Sequence, residues 1–291
     1  MRNKQTSVTA QGIALIRALE SAKPADERVC YDPLARRFVP GWFYWFGRFF
    51  TAIGYAEMRG PGVQGFLAAR DRYIDDCLQD AIDGDLQQLV ILGAGYDSRA
   101  YRFDRLKTGV RVFEVDHPAT QADKCKRLEK IFGRVPDHVT YVDIDFNQQS
   151  LEERLLINGY NPALKTLFIW QGVTYYLTPE AVDGTLGFIA RASGPVSQVI
   201  FDFIDQSVLD GIVRHGEVSG MRRYRGLTGE GLTFGIPDAT IGAFLEARGF
   251  SVVKNMQSAD LHHIYFTGKR QARKVVSGYN IVLAFVRPDE N

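Results

Sequence analysis

"LVILGAGYDSRAYRF", residues 89–103, joins an apolar run to a glycine-rich turn. Four apolar residues run into Gly93-Ala94-Gly95 and the chain then turns polar, the pattern of a buried parallel strand that ends in a turn and begins a helix. Glycines one residue apart let a backbone lie directly against a ligand, because no side chain stands between. In a doubly wound sheet that ligand lies beyond the carboxyl ends of the strands, at the point where the strand order reverses. A tight structural turn would use the same residues, so the choice rests on the acidic residues further along the chain. Asp97 and Ser98 can bond the amides of the loop and open the next helix.

The next strand, "VFEVD" (112–116), puts Glu114 and Asp116 at its end, and Asp116 lies 21 residues after Gly95. That is the separation at which a carboxylate takes the hydroxyls of a nucleoside ribose. A third acidic site, "VDIDF" (142–146), ends the following strand with Asp143, Asp145 and Phe146. An acid there can bond an adenine amino group while the aromatic ring covers the base; a helix cap is the other use for Asp145. NAD and S-adenosylmethionine both carry the required sugar. A dinucleotide wants a third small residue for close helix packing, and here that position is Ser98 followed by the bulky Arg99. This favours S-adenosylmethionine and leaves an NAD-dependent oxidoreductase as the alternative.

Outward from these motifs, short apolar runs alternate with helical ones: "LVILG", "VRVFEVD", "HVTYVDID", "TLFIWQG", "QVIFDFID", "FSVVKN" and "YNIVLAFV". The rhythm predicts an α/β fold, a doubly wound, Rossmann-like sheet of seven strands with the last one antiparallel. "MQSADLHHIYFTGKRQARKVVSG", between the last two strands, carries no clear apolar stripe and reads as an extended connection. The segments 1–85 read as an N-terminal helical lid, 86–205 as the cofactor-binding core, 206–236 as a glycine-rich lid insertion over the active face, and 237–291 as the rest of the core sheet.

The chain has 291 residues, of which 45% are hydrophobic, enough for a full core. Its 35 Lys+Arg and 34 Asp+Glu leave a net charge of +1, which offers no broad field for nucleic acid. Cys30, Cys77 and Cys125 are widely spaced and suit reduced thiols, and "MRNKQTSVTAQG" has no apolar h-region, so a cytoplasmic location is expected. "GWFYWFGRFFTAIGY" (41–55) holds eight aromatics but is too short to span a bilayer and carries Arg48. It is expected to pack on the domain and to wall the pocket, with no stable membrane insertion.

Together, "VILGAGYDSRAYRF", "FEVDHPATQADK", "VDIDF", "FIWQGVTYYLTPEAV" and "GEGLTFGI" resemble the leucine carboxyl methyltransferase family, including its bacterial polyketide O-methyltransferase-like branch. The similarity runs from "VTAQGIALIRALESAKPADERVCYDPLARRF" to "YFTGKRQARKVVSGYNIVLAFV". It implies a class I S-adenosylmethionine-dependent methyltransferase with a seven-stranded sheet and helical lid elements. By this resemblance Arg70 holds the cofactor's carboxylate, Gly93, Ala94 and Gly95 form the glycine loop, Asp116 takes the ribose, and Asp145 with Phe146 takes the adenine. Gln171 stands where the family usually has glutamate. Its amide oxygen can still bond an amino group but brings no negative charge, which opens a further reading: a cofactor-binding protein whose methyl transfer has been lost or redirected.

The implied reaction is an in-line displacement at carbon on a small-molecule acceptor, a carboxylate or a hydroxyl. A carboxylate needs no base; for a hydroxyl, His215 in the insertion is a candidate base. Arg222, beside Arg223 and Arg225 in "MRRYR", is a candidate clamp for an acidic acceptor. Tyr175 and Tyr176 are expected to edge the acceptor pocket or to pack beneath the lid. His262 and His263 lack any metal-binding frame, so no metal is expected.

Overall fold

The computed structural model describes residues 8–145, 149–211 and 232–287. The chain begins with α1 (Val8–Ser21), α2 (Gly41–Ala52), the short α3 (Tyr55–Arg59) and the long α4 (Val63–Asp83). Strands and helices then alternate: β1 (Gln88–Leu92), α5 (Arg99–Arg102), β2 (Arg111–Asp116), α6 (Pro118–Phe132), β3 (Val139–Asp143), α7 (Leu151–Ile157) and β4 (Thr166–Trp170). Then come α8 (Pro179–Arg191), β5 (Gln198–Ile204), α9 (Gln206–Leu209), α10 (Ile241–Glu246), β6 (Phe250–Gln257), α11 (Ser258–Tyr265) and β7 (Tyr279–Val286).

The described strands form one seven-stranded sheet in the order β3-β2-β1-β4-β5-β7-β6. Strands β1 to β5 are parallel; β7 runs antiparallel to both β5 and β6, in agreement with the sequence pattern. The near-continuous apolar strands follow from burial on both faces. Leu89, Ile91, Leu167, Ile169 and Ile200 face one layer with α1 and α4. Val90, Leu92, Phe168, Trp170 and Phe201 face the other, with α7 and α8. The order reverses at β1, flanked by β2 on one side and β4 on the other, which leaves a crevice at their carboxyl ends.

Two sequence expectations change. The β6–β7 connection contains a helix, α11, which a single apolar stripe does not mark; Gln257 and Asp260 form a reciprocal capping box at its start, and Leu261 anchors it in the core. The aromatic segment is helix α2, but only Tyr44 is buried, and Trp42, Trp45, Phe46 and Phe49 face outward. None of them walls the crevice, because α1 lies between: its Thr9, Ala10, Ile13 and Arg17 line the cavity there, and Leu15 packs on Gly47 of α2.

Candidate functional site

The crevice is a cavity of about 340 Å³ lined by α1, α4, the turn after β1, the end of β2 and the turn after β4. Gly93 and Gly95 both have positive φ, +65° and +45°. A Cβ on Gly93 would stand 2.4 Å from Val173 Cγ2, so the turn after β4 is fitted against a bare backbone. Asp116 fixes this turn: one carboxylate oxygen accepts the Gly95 amide and the other accepts the His117 amide at 2.6 Å. Its side chain therefore faces the glycine turn and lines the cavity. Burial raises the Asp116 pKa above the usual carboxylate range despite the two amide bonds that work the other way. Glu114, two residues earlier, serves a different purpose, paired in the interior with Lys124 at 2.7 Å.

Helix α4 carries Arg70 into the cavity wall from the opposite side. Arg70 is almost fully buried and paired with Asp202 of β5, Nη1 to Oδ2 at 2.6 Å. Burial opposes its charge, but Asp202 and the neighbouring acids hold its pKa above the ordinary arginine value. Its Nε has no hydrogen-bond partner among the described residues. Asp202 also accepts the Gly172 amide at 2.6 Å, tying the turn after β4 to the same pair.

Gln171 belongs to a second, denser network. Its oxygen accepts from Arg99 Nη1 at 2.9 Å, and its Nε2 donates to Asp71 Oδ1 at 2.8 Å. Arg99 is also bonded to Asp97, to Asp75 at 2.7 Å and to Asp71 at 3.3 Å. Burial favours its neutral form, but these three carboxylates raise its pKa further. In return, Asp97 is held far below the usual carboxylate range: burial pushes it up, and the Arg99 and Arg17 charges more than reverse this. An amide suits position 171 because one side of it meets a cation and the other a carboxylate.

The crevice thus brings together Arg70, Gly93, Ala94, Gly95, Asp116, Gln171 and Tyr176. Tyr175 is buried behind the wall, its hydroxyl 3.4 Å from Asp202 Oδ2. Asp145 does not line the cavity, although its neighbour Ile144 donates its amide to the Asp116 carbonyl at 2.9 Å. Phe146, His215 and Arg222 lie outside the described residues. Sequence reasoning missed Arg17, Asp71, Arg99, His117 and Asp202. For Asp202 a signal existed, a carboxylate inside the apolar run "VIFDFI"; for Arg17 and Arg99 the helical spacing gave none. Among the described residues no group of three or more His, Cys, Asp or Glu is arranged to hold a metal ion.

Comparison with known proteins agrees with this architecture. A Bacillus subtilis protein named, provisionally, an S-adenosyl-L-methionine-dependent methyltransferase is 29% identical over 202 residues, which is 69% of this chain and 66% of the relative. A Mycolicibacterium smegmatis protein with the same provisional name is 34% identical over 210 residues, 67% of this chain and 66% of the relative. The matched regions therefore cover just under two thirds of these relatives' own length. Among solved structures, a Thermobifida fusca protein described as a provisional methyltransferase superposes with a TM-score of 0.60 at 13% identity, covering 99% of this chain and 97% of that one. A DUF574 family protein from Streptomyces avermitilis gives 0.58 at 12% identity, over 98% and 99%. A family model described as leucine carboxyl methyltransferase matches residues 10–190. That span holds most of α1, the glycine turn, Asp116 and the turn after β4, so the chain belongs to the leucine carboxyl methyltransferase family.

Proposed function

We propose that this protein is an S-adenosylmethionine-dependent O-methyltransferase acting on a carboxylate or hydroxyl of a small molecule. The observation that carries the reading is the crevice itself: a side-chain-free turn fixed by Asp116 on one wall, and on the other a buried arginine with an unpartnered Nε. The donor set fits the cofactor. Arg70 would hold its carboxylate, the free lone pairs of Asp116 its ribose hydroxyls, and the backbone of Gly93 to Gly95 would lie against it. Asp145 and Phe146 are proposed for its adenine, and Gln171 for its amino group, with Asp71 beside Gln171 providing the negative charge that the amide lacks.

When bound, the cofactor supplies a methyl group on a positively charged sulfur, open to in-line attack. What the chain contributes is placement and exclusion of water. Arg70 would hold the carboxylate end of the cofactor and Asp116 its ribose, with Tyr176 and Val173, which line the same cavity, proposed to face the acceptor. A carboxylate acceptor arrives ionised and needs no proton moved. For a hydroxyl acceptor, His215 is the proposed base and Arg222 a proposed clamp. The sheet also argues against the dinucleotide alternative, since an antiparallel β7 stands where a dinucleotide-binding sheet continues parallel.

The test is calorimetric titration of the protein with S-adenosylmethionine and with NAD, followed by transfer of labelled methyl to a panel of small acids and phenols. Binding of the sulfonium compound alone, lost in Asp116→Ala, and label appearing in an acceptor are the results expected. Binding of NAD in its place overturns the reading; binding without transfer to any acceptor favours the redirected-activity alternative.

A further inference from the structure

The outward face of α2 is unusual for a folded domain. Trp42, Trp45, Phe46, Phe49 and Ile53 recur at helical spacing and form one stripe, each between 57% and 74% exposed. Met58 on α3, 69% exposed, extends it. The helix is not frayed into this position: Tyr44 is buried beneath it and Leu15 of α1 packs on Gly47. A contiguous stripe of large apolar side chains in water marks a surface that meets something else.

Charge indicates what that is. Residues 36–59 contain four arginines, Arg36, Arg37, Arg48 and Arg59, against one acid, Glu57, whereas the whole chain carries only +1. Glu57 is occupied in accepting the Gly62 amide at 2.7 Å. Arg48 and Arg59 stack on the exposed Trp45 and Tyr55 at 5.5 and 5.8 Å, while Arg36 stacks on the buried Tyr44 at 4.3 Å, and none of the three is paired with a carboxylate among the described residues. Tryptophan and phenylalanine over an apolar depth, rimmed by unneutralised arginines, is the composition of a helix that lies in the plane of a lipid interface. No described helix is long and apolar enough to cross a membrane, so the contact would be peripheral.

We propose that α2 and α3 form a docking surface for an anionic phospholipid bilayer, with the stripe seated among the acyl chains and the arginines at the phosphate level. The proposal is independent of the methyl-transfer reading. Docking this way sets α1, whose inner side lines the crevice, directly above the lipid.

Flotation of the full chain with vesicles of phosphatidylcholine alone, and of phosphatidylcholine mixed with phosphatidylglycerol, tests it. Binding to the mixed vesicles is expected, weakening at least about tenfold as salt is raised, because the arginine contribution is screened. Trp42 and Trp45 are exposed while Trp170 is buried, so a blue shift of tryptophan emission on binding reports on the stripe. Trp45→Ser with Phe49→Ser, both at exposed positions, is expected to reduce binding at least about tenfold while leaving thermal unfolding unchanged. Arg48→Glu is expected to remove the preference for the mixed vesicles. No binding to either vesicle at low salt overturns the proposal, and equal binding to both overturns its anionic part. A concentration-dependent dimer in light scattering that the same double substitution abolishes, without vesicle binding, assigns the face to a second copy instead.

Discussion

Gln171 shows how one residue type is fixed by its neighbours. Its amide joins Arg99 to Asp71, so Gln171→Glu would set two carboxylates at 2.8 Å, where a bond now exists. That change is expected to destabilise the protein by about 1–3 kcal/mol in urea titrations and to leave cofactor affinity no better. Combining it with Asp71→Asn, which restores an amide facing a carboxylate, is expected to recover most of the loss, a coupling measurable as a double-mutant cycle. The Arg70–Asp202 pair makes a second case. Asp202→Asn leaves a buried guanidinium short of its counter-charge and is expected to cost about 3–5 kcal/mol, read as a shift in the denaturation midpoint. Of the residues named from the sequence, Arg70, Gly93, Ala94, Gly95, Asp116, Gln171 and Tyr176 line the crevice. Gly93, Gly95 and Asp116 were legible because their spacing is set by one strand-turn-strand unit. Asp202 was not assigned, because its partner Arg70 is 132 positions away and no local pattern records that distance.

Among the elements, α4 has the most demanding fit. A Cβ on Gly65 would stand 2.0 Å from the Lys274 carbonyl oxygen, so the helix lies against the segment before β7 with no room for a methyl group. Gly65→Ala is expected to push that segment outward and to cost about 1–3 kcal/mol, with faster amide exchange at Val276, whose amide bonds to the Gly62 carbonyl at 3.0 Å. The strands were readable because burial on both faces leaves runs such as "TLFIW" with no polar interruption, and α6 and α8 because proline at their first turn marks the start. Helix α11 escaped detection since it is only eight residues long and two adjacent histidines blur its stripe. The outward turn of the α2 aromatics escaped it as well. Apolar composition announces burial, and nothing in the order of residues says that α1 already occupies the inner position.

For the whole molecule, acid is the condition that the buried charge network should feel most. Asp97 and Glu20 both have pKa values below the ordinary carboxylate range. Burial opposes this in each, and the charges of Arg99 and Arg17 for Asp97, and the bond from Arg273 for Glu20, override it. An acid with a lowered folded pKa contributes stability that is fully present above its unfolded value, near 4, and is lost as pH falls toward the folded value. Unfolding free energy is therefore expected to be flat with respect to these groups above about pH 5 and to fall steeply below about pH 4, as followed by urea titration at each pH. Asp116 works in the opposite sense: its raised value means that the ionised form is held at a cost in the neutral range, a cost that protonation removes.

The contact between Gly93 and Val173 has a bearing on biogenesis. The two residues are 80 positions apart, so the glycine turn is synthesised well before the residue that closes it. A nascent chain released before β4 would carry the glycine turn and the Arg99 pairs with Asp71, Asp75 and Asp97, but not Gln171, which bonds Arg99 and Asp71, nor Val173. Closure of the turn by Val173 then waits on docking of the fourth strand, whereas the amides of Gly93, Ala94, Gly95 and Asp97 bond to Val115, Asp116 and Ala94, all earlier in the chain, so pulse-labelled exchange is expected to find them protected no later than those of residues 166–170.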